Sequence, residues 1–199
     1  MITVVAVSAT AVLAKEISEE EYLVAEALAA ERHEYVDGAV YAMAGGSEAH
    51  NRIAARVISL LDGQLRGKPC EPFGSDMKVR VRAQTHRFYY PDAMVACDPT
   101  DAGHGWRERP AVIFEIISEE TRRVDEQEKR FLYRQIPSLL AYVRIEQDRA
   151  AAVIDLRQAN EPEGWRTEEV IGLEATIELL ELGLRLPLKE LYERVRLPS

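Results

Sequence analysis

The stretch AVIFEII, residues 111–117, limits what this chain can fold into more than any other. Ala111, Val112, Ile113 and Phe114 precede Glu115, and Ile116 and Ile117 follow it. A short continuous apolar run bounded by polar residues reads as a strand covered on both faces. A carboxylate inside such a strand costs several kcal/mol unless it is paired or binds a metal. The fold must therefore bring a cation to Glu115.

The rest of the pattern supplies helices and strands to bury it. Ser18 and Glu21 make an S-x-x-E capping box, which predicts a helix to about Ala30. HEYVDGAVYAM, from His33, reads as a hairpin about Asp37-Gly38. After the AGGS break, Ser47 caps a helix with Ile53, Val57, Leu60, Leu61 and Leu65 at helical spacing. In SDMKVRVR the period changes to two, with Met77, Val79 and Val81 alternating against Asp76, Lys78, Arg80 and Arg82. RFYYPDAMVAC reads as one further strand and DPTDAGHGWRERP as a loop. A third helix is expected from about Thr121 to Gln135. LLAYVRIE and AAVIDLR pair as a hairpin across QDRA, and short strands and the amphipathic PLKELYERV close the chain. The pattern is α+β, with a mixed central sheet flanked by helices.

The chain has 199 residues, enough for one well-cored domain over 18–199 with residues 1–17 as a leader or arm. Those first residues are mostly apolar with no basic residue before Lys15, unlike a signal peptide, and are too short to span a membrane. The net charge of −9 disfavours nucleic-acid binding over the whole surface. Any such binding needs a local basic feature, and Lys78, Arg80 and Arg82 on one strand face form the candidate phosphate stripe; a solvated face is the alternative. Cys70 and Cys97 lie in no metal-binding spacing and read as two separate reduced thiols of a cytoplasmic protein.

Asp92 is the second acid of interest. Pro91 before it cannot donate to a strand ladder, so a bulge or edge is expected there, and bulges aim side chains. If its strand neighbours that of Glu115, the two carboxylates meet, and a divalent cation relieves their repulsion. Lys129 shares a helix face with Leu132, Tyr133 and Ile136 and either snorkels outward or reaches the acids, with Asp125 one turn before it. His50 lies on the apolar stripe of its helix, and Glu34 starts a strand; a packed core histidine and a solvated glutamate are the plainer readings. Asp76 and Lys78, spaced D-x-K, read as solvated on their polar face.

In order, RHEYVDGAVYAMAGGSEAHNRIA, GSDMKVRV, YYPDAMVACD, FEIIS and DEQEKRFLYRQIPSLLAYVRIEQD resemble the Uma2 family of restriction-endonuclease-like proteins, from about Ser18 to Val195. The resemblance implies the PD-(D/E)xK nuclease fold. It implies metal-dependent DNA hydrolysis, with Mg²⁺ or Mn²⁺ held by Asp92, Glu115 and the Ile116 carbonyl. Lys129 takes the catalytic-lysine role, since the position two residues after Glu115 is Ile117, and Glu34 and His50 join the site. His50 would contact the scissile phosphate or hold Glu34. The resemblance also suggests a homodimer. Ser118 is followed by Glu119 where the family usually has proline, and AYVRIEQD replaces a strand that usually carries tryptophan. A non-catalytic nucleic-acid-binding or protein-interaction module on the same fold is the alternative, and a structural pair between Glu115 and an internal Arg or Lys is the third.

Overall fold

The computed structural model describes residues 5–7, 10–12, 16–43, 45–82, 86–101, 105–161 and 163–198. Of the apolar N-terminal segment it describes two short antiparallel strands, β1 (Val5–Val7) and β2 (Thr10–Val12); residues 1–4, 8–9 and 13–15 of the leader lie outside the described residues. Ser18 caps α1 (Glu19–Glu26) with both hydrogen bonds of the capping box. The helix stops short of Ala30 because Leu28 and Ala29 bond back only three residues, tightening the chain into a turn.

The expected hairpin forms from β3 (His33–Val36) and β4 (Ala39–Ala42). Asp37 and Gly38 both take positive φ, 50° and 92°, the geometry whose twist matches the flanking strands. Ser47 caps α2 (Glu48–Leu65), which buries Ile53, Val57, Leu61 and Leu65.

Next come β5 (Glu71–Gly74), β6 (Lys78–Arg82), β7 (His86–Tyr89) and β8 (Ala93–Ala96). The single strand expected over RFYYPDAMVAC is in fact two strands in different sheets. The chain leaves one sheet and enters the other at Tyr90-Pro91-Asp92, where Pro91 has no N–H to continue a ladder. After β9 (Trp106–Arg107) comes β10 (Pro110–Ile117), every residue of which is buried. The third helix opens as a π-helical turn, Val124–Lys129, and runs on into α3 (Arg130–Tyr133). The chain ends with β11 (Ala141–Glu146), β12 (Ala151–Arg157), β13 (Trp165–Ile171), β14 (Thr176–Leu179), β15 (Leu184–Pro187) and α4 (Leu188–Leu191).

The mixed central sheet has the order β13-β12-β11-β10-β8-β5, with β10 and β11 parallel and the other pairs antiparallel. A second sheet, β1-β2-β4-β3-β7-β6-β9, was not separable in the sequence pattern, and β14 and β15 pair by themselves. Side chains of β10 alternate between two cores. Val112, Phe114 and Ile116 pack with α2, α4 and the β14–β15 pair, while Ile113 packs with Tyr89, Leu132, Tyr133 and Tyr142 from β7, α3 and β11. Glu115 shares parity with Ile113, so it enters the second core, between the central sheet, the second sheet and α3.

One expectation is overturned here. Cys70 and Cys97 are not separate thiols but a disulfide. β5 and β8 pair antiparallel with Glu71 opposite Ala96, and that register carries Cys70 directly across from Cys97. The pairing crosses 27 residues and has no local sequence signal. The composition argument for a reducing compartment goes with it. Among the described residues no helix is long and apolar enough to cross a membrane.

Candidate functional site

Glu115 is buried, and its partner is Lys129. Lys129 Nζ donates to Glu115 Oε1 at 3.1 Å and lies 3.2 Å from Glu34 Oε1 and 3.3 Å from Asp125 Oδ1. Tyr133 OH donates to the same Glu115 oxygen at 3.2 Å. The ammonium is itself buried, 5.6 Å from the centre of the Tyr89 ring. It does not snorkel outward. The π-helical turn brings this about: Arg130 N bonds to Asp125 O, five residues back, so Asp125 and Lys129 both end up buried. Such turns are rare and concentrate at functional sites.

Asp92 sits in the corner between the sheets, immediately before β8. The β8–β10 pairing ends at Phe114 opposite Ala93. Beyond that point the Asp92 side chain takes over, and its Oδ2 accepts from Ile116 N at 2.7 Å. The Ile116 carbonyl faces the same strand edge by the geometry of a strand. Asp92 Oδ2 also meets His50 Nε2 at 3.2 Å. His50 lies in the first turn of α2, against Asp92 and not against Glu34, which corrects that part of the expectation. The AGGS break serves this contact, since a Cβ added at Gly46 would lie 2.7 Å from His50 Nδ1.

Glu34 comes from β3 and accepts from Tyr90 N at 3.4 Å. Five predicted residues, Glu34, His50, Asp92, Glu115 and Lys129, are thus joined into one cluster from five parts of the chain. Asp125 belongs with them, as its spacing from Lys129 indicates. Tyr133 was visible in the sequence only as a packing neighbour of Lys129. Gly46 and Tyr90 carry no sequence signal for their roles.

The electrostatics follow from burial. Desolvation raises the Glu115 pKa well above the usual carboxylate range; Lys129 opposes this, and Asp125, Asp92 and Glu34 add to it. Desolvation likewise raises Glu34, against the pull of Lys129. Burial alone would lower Lys129, but Glu115, Glu34 and Asp125 together hold it well above the ordinary lysine value. For His50, burial lowers the pKa, while the hydrogen bond and charge of Asp92 and the charge of Asp125 outweigh it, so the net shift is upward.

The stripe of Lys78, Arg80 and Arg82 divides. Arg80 is tied to Glu19 and, at 3.1 Å, to Glu108, and its guanidinium lies over Phe88 and Trp106. Arg82 is exposed and pairs with Glu108 at 2.9 Å. Arg80 is therefore a structural cation rather than part of a free phosphate stripe. Lys78 differs from both. Its Nζ donates to Tyr90 OH at 3.2 Å, burial lowers its pKa, and among the described residues no carboxylate lies within ion-pair distance of it. Lys78 is half-buried rather than solvated, whereas Asp76 is exposed and pairs with Arg32 at 3.0 Å. In the SEET loop, Ser118 and Thr121 hold each other, and Glu119 and Glu120 face solvent.

A second buried ionic cluster escaped sequence reading. Asp155 on β12 is fully buried and binds Arg130 at 2.7 and 2.8 Å, Arg144 at 2.8 Å and Thr167 Oγ1 at 2.6 Å. Arg144 stands opposite Glu115 in the parallel β10–β11 register, yet its charge is committed to Asp155.

Among the described residues no three His, Cys, Asp or Glu side chains converge as a ready metal cage. The donor chemistry nonetheless suits a hard cation. Mg²⁺ is commonly held by one or two carboxylates, with waters and substrate phosphate completing its shell. Asp92 Oδ1 and Glu115 Oε2 accept no hydrogen bond from any described residue, and Asp125 Oδ1 is buried without one.

The fold has a solved counterpart. It matches the crystal structure of a putative nuclease belonging to DUF820 from Anabaena variabilis, with a TM-score of 0.64 over 84% of this chain and 93% of that one, at 15% identity. Residues 19–189 match the family model Uma2, described as "Putative restriction endonuclease". The chain belongs to the Uma2 family. Two uncharacterized proteins of Synechocystis sp., slr1290 and sll1609, are similar to it: the first is 33% identical, covering 88% of this chain and 91% of its own, and the second is 30% identical, covering 82% and 93%.

Proposed function

We propose that this chain is a divalent-metal-dependent endodeoxyribonuclease. The observation that carries the reading is the convergence of partly buried Asp92 and Glu34 on the buried Glu115–Lys129 pair at the junction of two sheets. Asp92, Glu115 and the Ile116 carbonyl would hold Mg²⁺ or Mn²⁺. When bound, the metal supplies Lewis-acid polarisation of a phosphate and a water of lowered pKa.

The chain's own residues do the rest. His50 holds Asp92 in place from α2. Glu34 and Asp125 hold the Lys129 ammonium at the cluster. Lys129 orients the attacking water or offsets charge that develops on the phosphate oxygens. Lys78, which has no carboxylate within ion-pair distance among the described residues, contacts a neighbouring phosphate of the strand. As water adds to phosphorus it gives up one proton, one ester P–O bond breaks, and the leaving oxygen takes up a proton in its place, so that none is gained or lost overall.

Calorimetric titration with Mg²⁺ and Mn²⁺ tests the reading on wild type, Asp92→Ala and Glu115→Gln, followed by cleavage assays on nicked, linear and single-stranded DNA. The expected result is saturable binding that both substitutions abolish, and cleavage that follows it. A purely structural Glu115–Lys129 pair predicts a change in stability with no metal response in any variant.

A further inference from the structure

Lys129 is encircled more completely than a catalytic lysine needs to be. Carboxylates from three separate elements, Glu34 on β3, Asp125 on the π-helical turn and Glu115 on β10, lie within 3.3 Å of its Nζ. One positive charge therefore faces three acids in a water-poor core. Asp125 Oδ1 is buried without a hydrogen bond, so its compensation comes from the Lys129 charge at 3.3 Å. Coulombic attraction is strong at such distances where water is excluded. Where carboxylates outnumber the built-in cation, an added divalent ion relieves their repulsion.

Resting on the nuclease reading above, we propose that Lys129 is the resident counter-ion of the acidic cluster. It stands in for a divalent cation and gives up its contact with Glu115 when one binds. Two consequences follow. The cluster is stable without metal, because a charge built into the chain already balances part of it. Metal binding to the free protein is weak, because it must displace that charge or accept a repulsive neighbour. A substrate phosphate then offers the displaced ammonium a new anionic partner. Metal and DNA are thereby coupled through one side chain, each favouring the other's binding by the same factor.

The test uses Mn²⁺ and Mg²⁺ binding, independent of cleavage. Calorimetry is run on wild type, Lys129→Met and Lys129→Arg, with and without a duplex oligonucleotide. Lys129→Met is expected to bind Mn²⁺ tighter than wild type by about tenfold or more, while Lys129→Arg, which keeps the charge, stays near wild type. Mn²⁺ should also raise the melting temperature of Lys129→Met more than that of wild type. Equal or weaker binding by Lys129→Met beside measurable wild-type binding overturns the proposal and leaves the metal site standing. No binding by any form, with or without DNA, overturns both. Should Lys129→Met fail to fold, NMR of the Lys129 ammonium in wild type decides the matter. Its ¹⁵N resonance should move as Mg²⁺ is added; a resonance that stays fixed while the Ile116 amide titrates sinks the proposal.

Discussion

Asp92 Oδ2 accepts from Ile116 N at 2.7 Å, occupying the place a strand would take one step beyond the end of β8. One carboxylate thus does two jobs, completing a sheet edge and helping to form the acidic cluster. The jobs separate by substitution. Asp92→Asn keeps an acceptor for the Ile116 amide and is expected to unfold within about 1 kcal/mol of wild type in urea. Asp92→Ala leaves that partly buried amide unpaired and is expected to lose about 1–3 kcal/mol. Both should lose metal binding in the titration, which separates charge from structure.

His50 gives a pH signature. Its pKa in the fold lies above the ordinary 6.5, because Asp92 and Asp125 outweigh burial and Lys129. The folded state therefore binds this proton more tightly than the unfolded chain. The stability so gained is fully present below pH 6.5 and is lost as pH rises through the folded value. Glu34, also raised, acts in the same direction from its ordinary 4.5 upward, so the control must be a variant. In metal-free buffer the difference in urea midpoint between about pH 6 and about pH 8 should shrink in His50→Gln. Gly46→Ala should shrink it too, by pushing the ring off Asp92.

Much of this was legible in the sequence because local rules dominate there. The capping box at Ser18, the Asp37-Gly38 turn and the buried strand around Glu115 all follow from contacts within a few residues. Glu115 stands out for a related reason, since burying a carboxylate demands a cation; that Lys129 supplies it, and that Glu34 and His50 join, rests on the Uma2 resemblance, because their local pattern reads equally as a snorkelling lysine, a solvated glutamate and a packed histidine. What could not be read depends on register and on sheet changes. The Cys70–Cys97 bond needs the β5–β8 pairing, the split of β7 from β8 needs two sheets to exist, and the commitment of Arg80 needs Glu19 and Glu108 brought from distant segments. The π-helical turn differs from an ordinary helix by one hydrogen-bond step and leaves no periodic trace.

The disulfide closes a separation of 27 residues, for which chain entropy gives a stabilisation of about 3 to 4 kcal/mol. A Cys70→Ser, Cys97→Ser double variant should unfold at correspondingly lower urea concentration. Wild type treated with dithiothreitol should match it, and the double variant should not respond to the reductant. Equal midpoints for wild type with and without reductant would argue that the bond contributes nothing in solution.

Asp155 should be the most sensitive acid outside the site. Burial works to raise its pKa, but the hydrogen bonds from Arg130 and Thr167 and the charges of Arg144 and Arg130 lower it on balance. Its contribution is thus present above the ordinary 3.8 and is lost as pH falls through the lower folded value. Asp155→Ala strands the buried Arg144 and is expected to cost about 3–5 kcal/mol. Because β12 pairs with β11 and not with β10, metal affinity in folded Asp155→Ala should match wild type.

Lys78 and Arg80 lie on one strand face yet should respond in opposite ways. Lys78 has no carboxylate partner among the described residues and touches Tyr90, two positions before Asp92. If it meets a phosphate, Lys78→Ala should weaken DNA binding at low salt. The slope of log affinity against log salt should then fall by about 0.9, the share of one phosphate contact. Its unfolding midpoint should change little. Arg80 is already neutralised by Glu19 and Glu108, so Arg80→Ala should leave the salt slope alone and destabilise the fold by about 1–3 kcal/mol, since two partly covered carboxylates lose one of their partners and keep only His86 and Arg82. Binding isotherms over a salt series, beside urea curves for the same two variants, decide it. A salt slope that falls with Arg80 and not with Lys78 would move the DNA path to the other end of β6.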